Sequence, residues 1–404
     1  AQRRAGDPAY RRTLLDAAAL ARELGDDERL VVAALANSRG TYSIAAGVDW
    51  ERIEVLRAAL EAVGEEDRPE RARLLAQIGV EMTFSGDWKA IVDRSDEALA
   101  LARRLDTDSD ADATLARCLL LRHASVWHAE TLHERLAITD ELETLARRLG
   151  DPQMAFFAAL YGVDDAVEAE RFGLAARRLA DAVALADDLA QPALRWLATI
   201  REGTWAMIHG RLDEAEDLVR RQWELGRVSG QPDAGLLYAT QQFELLRLRG
   251  RLADLDPGVV AANAAARPGN TAVLVGLALV HCERGEVDAA ADVFGPLAER
   301  RFVDLPHDGL WACTAANACE VAAALGDADA AAVLHEQLAP FAGQSAAMGP
   351  TWQGPIERYL GLTAMTMGRS GEARTLLEAA AARCEGLEAW PWLDFIRRDL
   401  AAAP

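Results

Sequence analysis

His123, His128 and His133 stand at even steps of five residues, a spacing that invites a metal site. Five residues turn about 140° round a helix, so the three imidazoles cannot share one face, and we expect no metal there. Asp106, Asp108, Asp110 and Asp112 set carboxylates at alternate positions, as a calcium loop does. The sixth place of that run is Ala111, where such a loop turns on glycine, and the twelfth is Arg117, where it needs a bidentate Glu. The run therefore reads as a solvated acidic linker between helices.

Asp164-Asp165-Ala166-Val167-Glu168 has the outline of the acidic motif with which all-α terpene cyclases hold diphosphate through magnesium, but the second, spaced Asn/Ser/Glu ligand set is missing. Nucleophile elbows of the form Gly-x-Ser-x-Gly, the His-Glu-x-x-His zinc pair and the dinucleotide Gly-x-Gly-x-x-Gly are missing too. Lys89 is the single lysine and sits in Gly-Asp-Trp-Lys-Ala, which is no phosphate-binding loop, because such a loop needs Gly-Lys-Ser/Thr to bring the amine to the phosphates. The expectation is a protein without catalytic residues or a cofactor of its own. An all-α enzyme of the cyclase type remains a remote alternative.

The elements that would carry these residues repeat. A glycine followed by a second turn residue precedes an amphipathic run at Gly6, Gly47, Gly86, Gly210, Gly250, Gly285, Gly326 and Gly368, spaced about 35 to 42 residues apart, with one gap of about three times that length after Gly86. Degenerate copies near His128-Ala129 and Glu170-Arg171 fill the gap. A small residue stands seven places before the turn glycine: Gly40, Gly79, Gly203 and Gly361, with Ala278 and Cys319 in the same place elsewhere. Glycine inside a helix costs about 0.5–1 kcal/mol against alanine, so its recurrence at one register points to a close helix crossing. After each turn the apolar residues follow helical period, as in Leu212, Ala215, Val219 and Trp223, and acidic residues such as Asp213-Glu214 favour the positive end of the helix dipole.

These repeats predict an all-α, right-handed α-solenoid of about ten helical hairpins over residues 1–404 as a single superhelical domain, with helices near 70% of residues and no sheet. Each hairpin is too small to bury its own apolar face, so neighbours must stack, and stacking creates a long concave surface. Composition agrees: apolar residues make up 51%, chiefly Ala and Leu, and aromatics only 6%. A formal net charge of −21 disfavours direct contact with nucleic acid or an anionic membrane. Five cysteines without a Cys-x-x-Cys pair read as buried thiols of a reducing compartment, and the longest apolar run, Thr271 to Val280, is about half of what a bilayer span requires. The expected location is the cytoplasm. The chain opens Ala-Gln-Arg-Arg, which suggests an excerpt of a longer polypeptide. Of the ten tryptophans, Trp196, Trp311 and Trp352 fall near helix starts and are expected in the core.

The step from Gly203 to Gly210 to Ala215, and from Leu360-Gly361 to Gly368 to Ala373, resembles the heart of the tetratricopeptide pattern, although the period is nearer 40 than the family's ~34. Gly86-Asp87-Trp88 with Ser95 to Leu105, Gly210 to Glu216, Gly354 to Gly361 and Ala389 to Leu393 resemble the C-terminal helical region of large actinobacterial regulatory ATPases, of the AAA or STAND type, linked to LuxR-type transcription activators or to nucleotide cyclases. The resemblance implies a sensor or partner-binding arm of a transcriptional regulator in signal transduction, with the ATPase outside this chain. A stand-alone tetratricopeptide adaptor for protein binding is the alternative. Laid on this chain, the family register directs Asn37, Thr41, Arg73, Thr83, Thr204, Met207, Arg358 and Met365 toward the concave groove, where a protein, peptide or small inducer would bind. Arg73 and Arg358 are expected to anchor an acidic group on that partner.

Overall fold

In the computed structural model, residues 9–38, 47–106, 109–266 and 270–403 are described, and the fold is all-α. The first helices are α1 (Tyr10–Leu24), α2 (Asp27–Ala36), α3 (Trp50–Val63), α4 (Pro69–Glu81), α5 (Trp88–Ala102) and α6 (Ser109–Ser125). The middle of the chain forms α7 (Leu132–Leu149), α8 (Pro152–Glu168), α9 (Phe172–Leu189), α10 (Pro192–Ile208), α11 (Leu212–Val228), α12 (Ala234–Leu248) and α13 (Pro257–Ala266). Then come α14 (Thr271–Glu283), α15 (Val287–Glu299), α16 (Trp311–Leu325) and α17 (Ala328–Leu338). A hairpin of β1 (Ser345–Met348) and β2 (Thr351–Pro355) precedes α18 (Ile356–Thr366), α19 (Ser370–Gly386) and α20 (Trp390–Ala402).

From α4 to α11 and from α14 to α19, each even-numbered helix packs on the odd-numbered helix that follows, and successive even-numbered helices pack on one another, as a stack of helical hairpins requires; the pattern breaks after α12, where α13 packs on α14 instead. The turn glycines do what their spacing implied. Gly47, Gly86, Gly210, Gly250, Gly285, Gly326 and Gly368 have φ between 64° and 76°, the left-handed region that a side chain resists. Glu170 fills the same role in a degenerate copy at φ 55°. Gly6, Gly40 and Thr41 lie outside the described residues.

The small-residue register is a packing register. A Cβ on Gly361 would sit 2.7 Å from Leu377 Cγ and 3.3 Å from the Ala373 carbonyl oxygen, so α18 and α19 cross too closely for any side chain there. Gly203 is looser, its nearest neighbour being Gln241 Nε2 at 3.2 Å, and Gly79 has 3.6 Å to Ser125 and Ser95. Gly361→Leu should therefore cost about 1–3 kcal/mol in urea unfolding, while Gly79→Ala stays near neutral. Equal losses would mean that close approach does not explain the recurrence.

The two helices of a repeat differ in burial. Helices α9, α11 and α19 bury one stripe, Ala215, Val219 and Gln222 in α11 for example, and expose the rest. Helices α8, α10, α16 and α18 are buried on almost every face. What covers their inner face is the chain itself. The last repeats return onto the middle ones: α20 packs on α10, His209 Nδ1 lies 3.2 Å from the Glu388 carbonyl oxygen, and Pro391 lies against Gly210.

The hairpin corrects the expectation of no sheet. Its antiparallel strands pair Ser345 with Pro355, Ala347 with Trp352 and Met348 with Thr351, and every residue of both strands is buried. Two alanines and two glycine-proline steps give this stretch little strand propensity, so it owes its form to the walls around it. Trp196, Trp311 and Trp352 are all buried, at 1%, 8% and 3% exposure. Among the described residues, no helix is long and apolar enough to cross a membrane.

Candidate functional site

The hairpin occupies the inner channel of the superhelix. β1 packs against α8 and α16, and β2 against α10, α12, α16, α18 and α19, so it touches repeats far apart in sequence. Four side-chain bonds fix it. Ser345 Oγ donates to Glu170 Oε1 at 2.7 Å, Thr204 Oγ1 donates to the Gly349 carbonyl at 2.9 Å, and Gln353 Nε2 donates to Glu244 Oε1 at 2.8 Å. Tyr359 Oη donates to the Gln353 carbonyl. Trp352 stands edge-on to Trp392 and Phe172, with ring centroids 6.0 and 5.7 Å away.

Around the channel, buried arginines tie neighbouring helices together. Arg201 of α10 holds Asp164 of α8 through two bonds, at 3.1 and 2.7 Å. Arg135 of α7, fully buried, donates to Asp165 and, at 2.7 Å, to Glu168 Oε2, while His123 Nε2 of α6 lies 2.8 Å from the other Asp165 oxygen. His123 also stacks on Tyr161, with centroids 4.6 Å apart. Arg247 of α12 bonds Asn317 at 3.0 Å and Glu320 of α16, and Arg358 of α18 bonds the same Glu320 and, at 2.8 Å, Asp399 of α20. Burial pushes the Glu168 and Glu244 carboxyls up, whereas the two arginines on Glu320 hold it below the usual range. Asp164, Asp165 and Glu168, the stretch with the cyclase-like outline, are thus engaged by arginines as cross-links between helices.

The acidic run before α6 behaves likewise. Asp110 and Asp112 fall in the first turn of α6, where they favour the helix dipole, and they pair with Arg73 and Arg148. Asp108 lies outside the described residues.

The groove residues taken from the family register have mixed fates. Thr204 is buried and donates to the Gly349 carbonyl of the hairpin. Met207 is 3% exposed and packs among Ala206, Ala215, Val219 and Leu245, between helices. Arg358, also 3% exposed, spends its guanidinium on Glu320 and Asp399, so it has no open face to offer an acidic partner. Asn37 is buried and accepts from Arg52 at 3.3 Å, and Thr83 turns back to donate to the Val80 carbonyl at 2.8 Å. Met365 is half-buried against the core of α14 to α18. Arg73, on α4, is half-buried and bonds Asp110 at 2.5 Å and Thr114 Oγ1 at 2.6 Å of α6. Several of these side chains are taken up in contacts with neighbouring helices.

A cluster that sequence spacing could not bring together joins the turn before α7 to the turn before α16. His128, Glu130 and His307 offer ligand atoms within 4.8 Å of one another. The two imidazoles are stacked, centroids 3.9 Å apart and planes 17° apart, so their in-plane lone pairs run side by side and do not converge on one ion. His128 Nδ1 accepts from the Glu130 amide at 3.3 Å, and His307 Nε2 lies 3.2 Å from Glu130 Oε1. Burial and the neighbouring His307 push the His128 pKa down to about 3, which keeps it neutral in this stack. The arrangement works as a contact between the start of α7 and the turn before α16, roofed by Trp88, Trp311 and Phe341.

The chain is similar to the apo form of RapI, at 12% identity over 82% of this chain and 93% of that one, with a TM-score of 0.40. It is also similar to a circular tandem repeat protein with novel repeat topology and enhanced subunit contact surfaces, at 14% identity over 99% and 97%, with a TM-score of 0.22. Overlaps this shallow carry no information on partners. No family model and no curated protein matches the chain.

Proposed function

We propose that this chain is the non-enzymatic binding arm of a larger cytoplasmic regulator, a transcriptional regulator whose ATPase module lies outside it, and that the arm acts as one superhelical domain. One observation carries the reading: the inner channel, the surface on which helical repeats take up peptides and ligands, is occupied by the arm's own hairpin, Ser345–Pro355. A partner or inducer that prefers the open channel shifts the balance between hairpin-in and hairpin-out, and it shifts it only by its difference in affinity for the two. The four side-chain bonds that hold the hairpin, each worth about 1 kcal/mol net, add to the burial of Met348 and Trp352, and a ligand shifts the balance only by what it gains over both.

Thr204→Val and Ser345→Ala each remove one of those bonds and leave the helices intact. Combined in the complete regulator, they are expected to raise its output without inducer and to lower the inducer concentration needed for half-maximal response. Faster amide exchange in the hairpin with an unchanged output and dose response would dismiss the reading.

A further inference from the structure

A cavity of about 360 Å³ lies beside the hairpin, between α12, α13, α14 and the start of α16, within the size range of small-molecule sites. Leu236, Tyr238, Phe243 and Val260 contribute to a wall that is mainly apolar. Glu244 and Gln353 interrupt it, 3% and 2% exposed. Their mutual bond uses Gln353 Nε2 and Glu244 Oε1 and leaves Glu244 Oε2 and Gln353 Oε1 without a hydrogen-bond partner. Thr351, in the same wall, lies close enough to favour the charged form of Glu244, so Gln353 Oε1 is the buried acceptor most in need of a donor.

We propose that this cavity binds a lipophilic monocation, a molecule with an apolar body and a protonated amine that donates to Glu244 and Gln353. The charge around the site selects the sign. Arg247 and Arg358 face three acidic groups, Glu244, Glu320 and Asp399, so the polar side of the site holds more acids than bases and suits a donor better than an anion. Because Gln353 belongs to β2, the ligand would touch the seated hairpin and favour it, so in the binding-arm reading on which this rests it is the effector that keeps the hairpin in.

The test is calorimetric titration of the whole chain with 4-phenylbutylamine, 4-phenylbutan-1-ol and 4-phenylbutyrate, one apolar body with a cationic, a neutral and an anionic head. The amine should bind at least about tenfold more tightly than the acid. Glu244→Gln removes the charge and should reduce that preference to under about threefold. Gln353→Leu, which removes the second acceptor, should weaken the amine selectively and serves if Glu244→Gln does not fold. Gly276→Leu blocks the space: a Cβ there has Phe243 Cε2 as its nearest neighbour at 3.9 Å, so the added side chain grows into the cavity and should abolish binding of all three with melting unchanged. No saturable binding by any probe, binding that survives Gly276→Leu, or an alcohol or acid that matches the amine would overturn the proposal. Probe binding is read on the chain itself, so its failure is separable from a failure of the hairpin variants to alter a regulator's output.

Discussion

Arg135→Met is expected to lower the stability of the chain by about 3–5 kcal/mol, the loss typical of removing one partner from a buried ion pair. The side chain is 0% exposed and its guanidinium serves Asp165, Glu168 and the His128 carbonyl, so the variant strands Glu168 and leaves Asp165 with His123 alone. The deficit should shrink at lower pH. Burial already raises the Glu168 pKa above its ordinary value, and without Arg135 it rises further. A group raised in the folded state favours folding below its unfolded pKa and loses that contribution as pH climbs through the folded one. Urea midpoints for the variant should therefore approach wild type as pH falls to about 7, below which Glu168 is protonated with or without Arg135. Arg147→Met is the control, because its pair with Glu143 is exposed and worth at most ~0.5 kcal/mol. A pH-independent loss, or one no larger than the control's, would mean the network is not energetically coupled.

Arg358→Met carries the second large effect, a loss of about 3 kcal/mol. Arg358 joins α18 to α16 and α20 through Glu320 and Asp399, and its guanidinium lies 5.3 to 5.7 Å from the ring centroids of Tyr359, Trp392 and Phe395. Glu320 keeps Arg247 in the variant, which sets the expectation at the lower end of the range for buried pairs. Since α20 is the element that returns onto α10, exchange at the α10–α20 contact should also quicken. A variant that melts like wild type and differs only in partner affinity would restore the groove role that the family register assigned to this arginine.

The repeat was legible because glycine reports backbone geometry directly: each turn glycine described has positive φ, and Gly361 meets Leu377 where the small-residue register placed a crossing. The groove was less legible. Register says which way a side chain leaves its own helix, whereas Met207 and Arg358 are covered by helices whose approach depends on how tightly the superhelix closes. Closure is a long-range property, seen in the Glu130–His307 and His209–Glu388 contacts, each joining residues more than 170 apart. The hairpin left one local trace, the glycine-proline steps at Gly349-Pro350 and Gly354-Pro355 flanking Trp352, a turn signal inside what otherwise reads as the approach to a helix. Its strands form because the channel buries them and supplies partners, which no local propensity encodes.

Amide hydrogen exchange across the hairpin tests the central claim most directly. If Ser345–Pro355 fills the channel, the amides from Ala346 to Gln353 should exchange nearly as slowly as those of α8, α10 and α18, and Thr204→Val should speed the hairpin while leaving those helices unchanged. Hairpin amides that exchange as fast as an exposed loop in the wild-type chain, with the helices still protected, would contradict the account, because the channel would then be open without any partner.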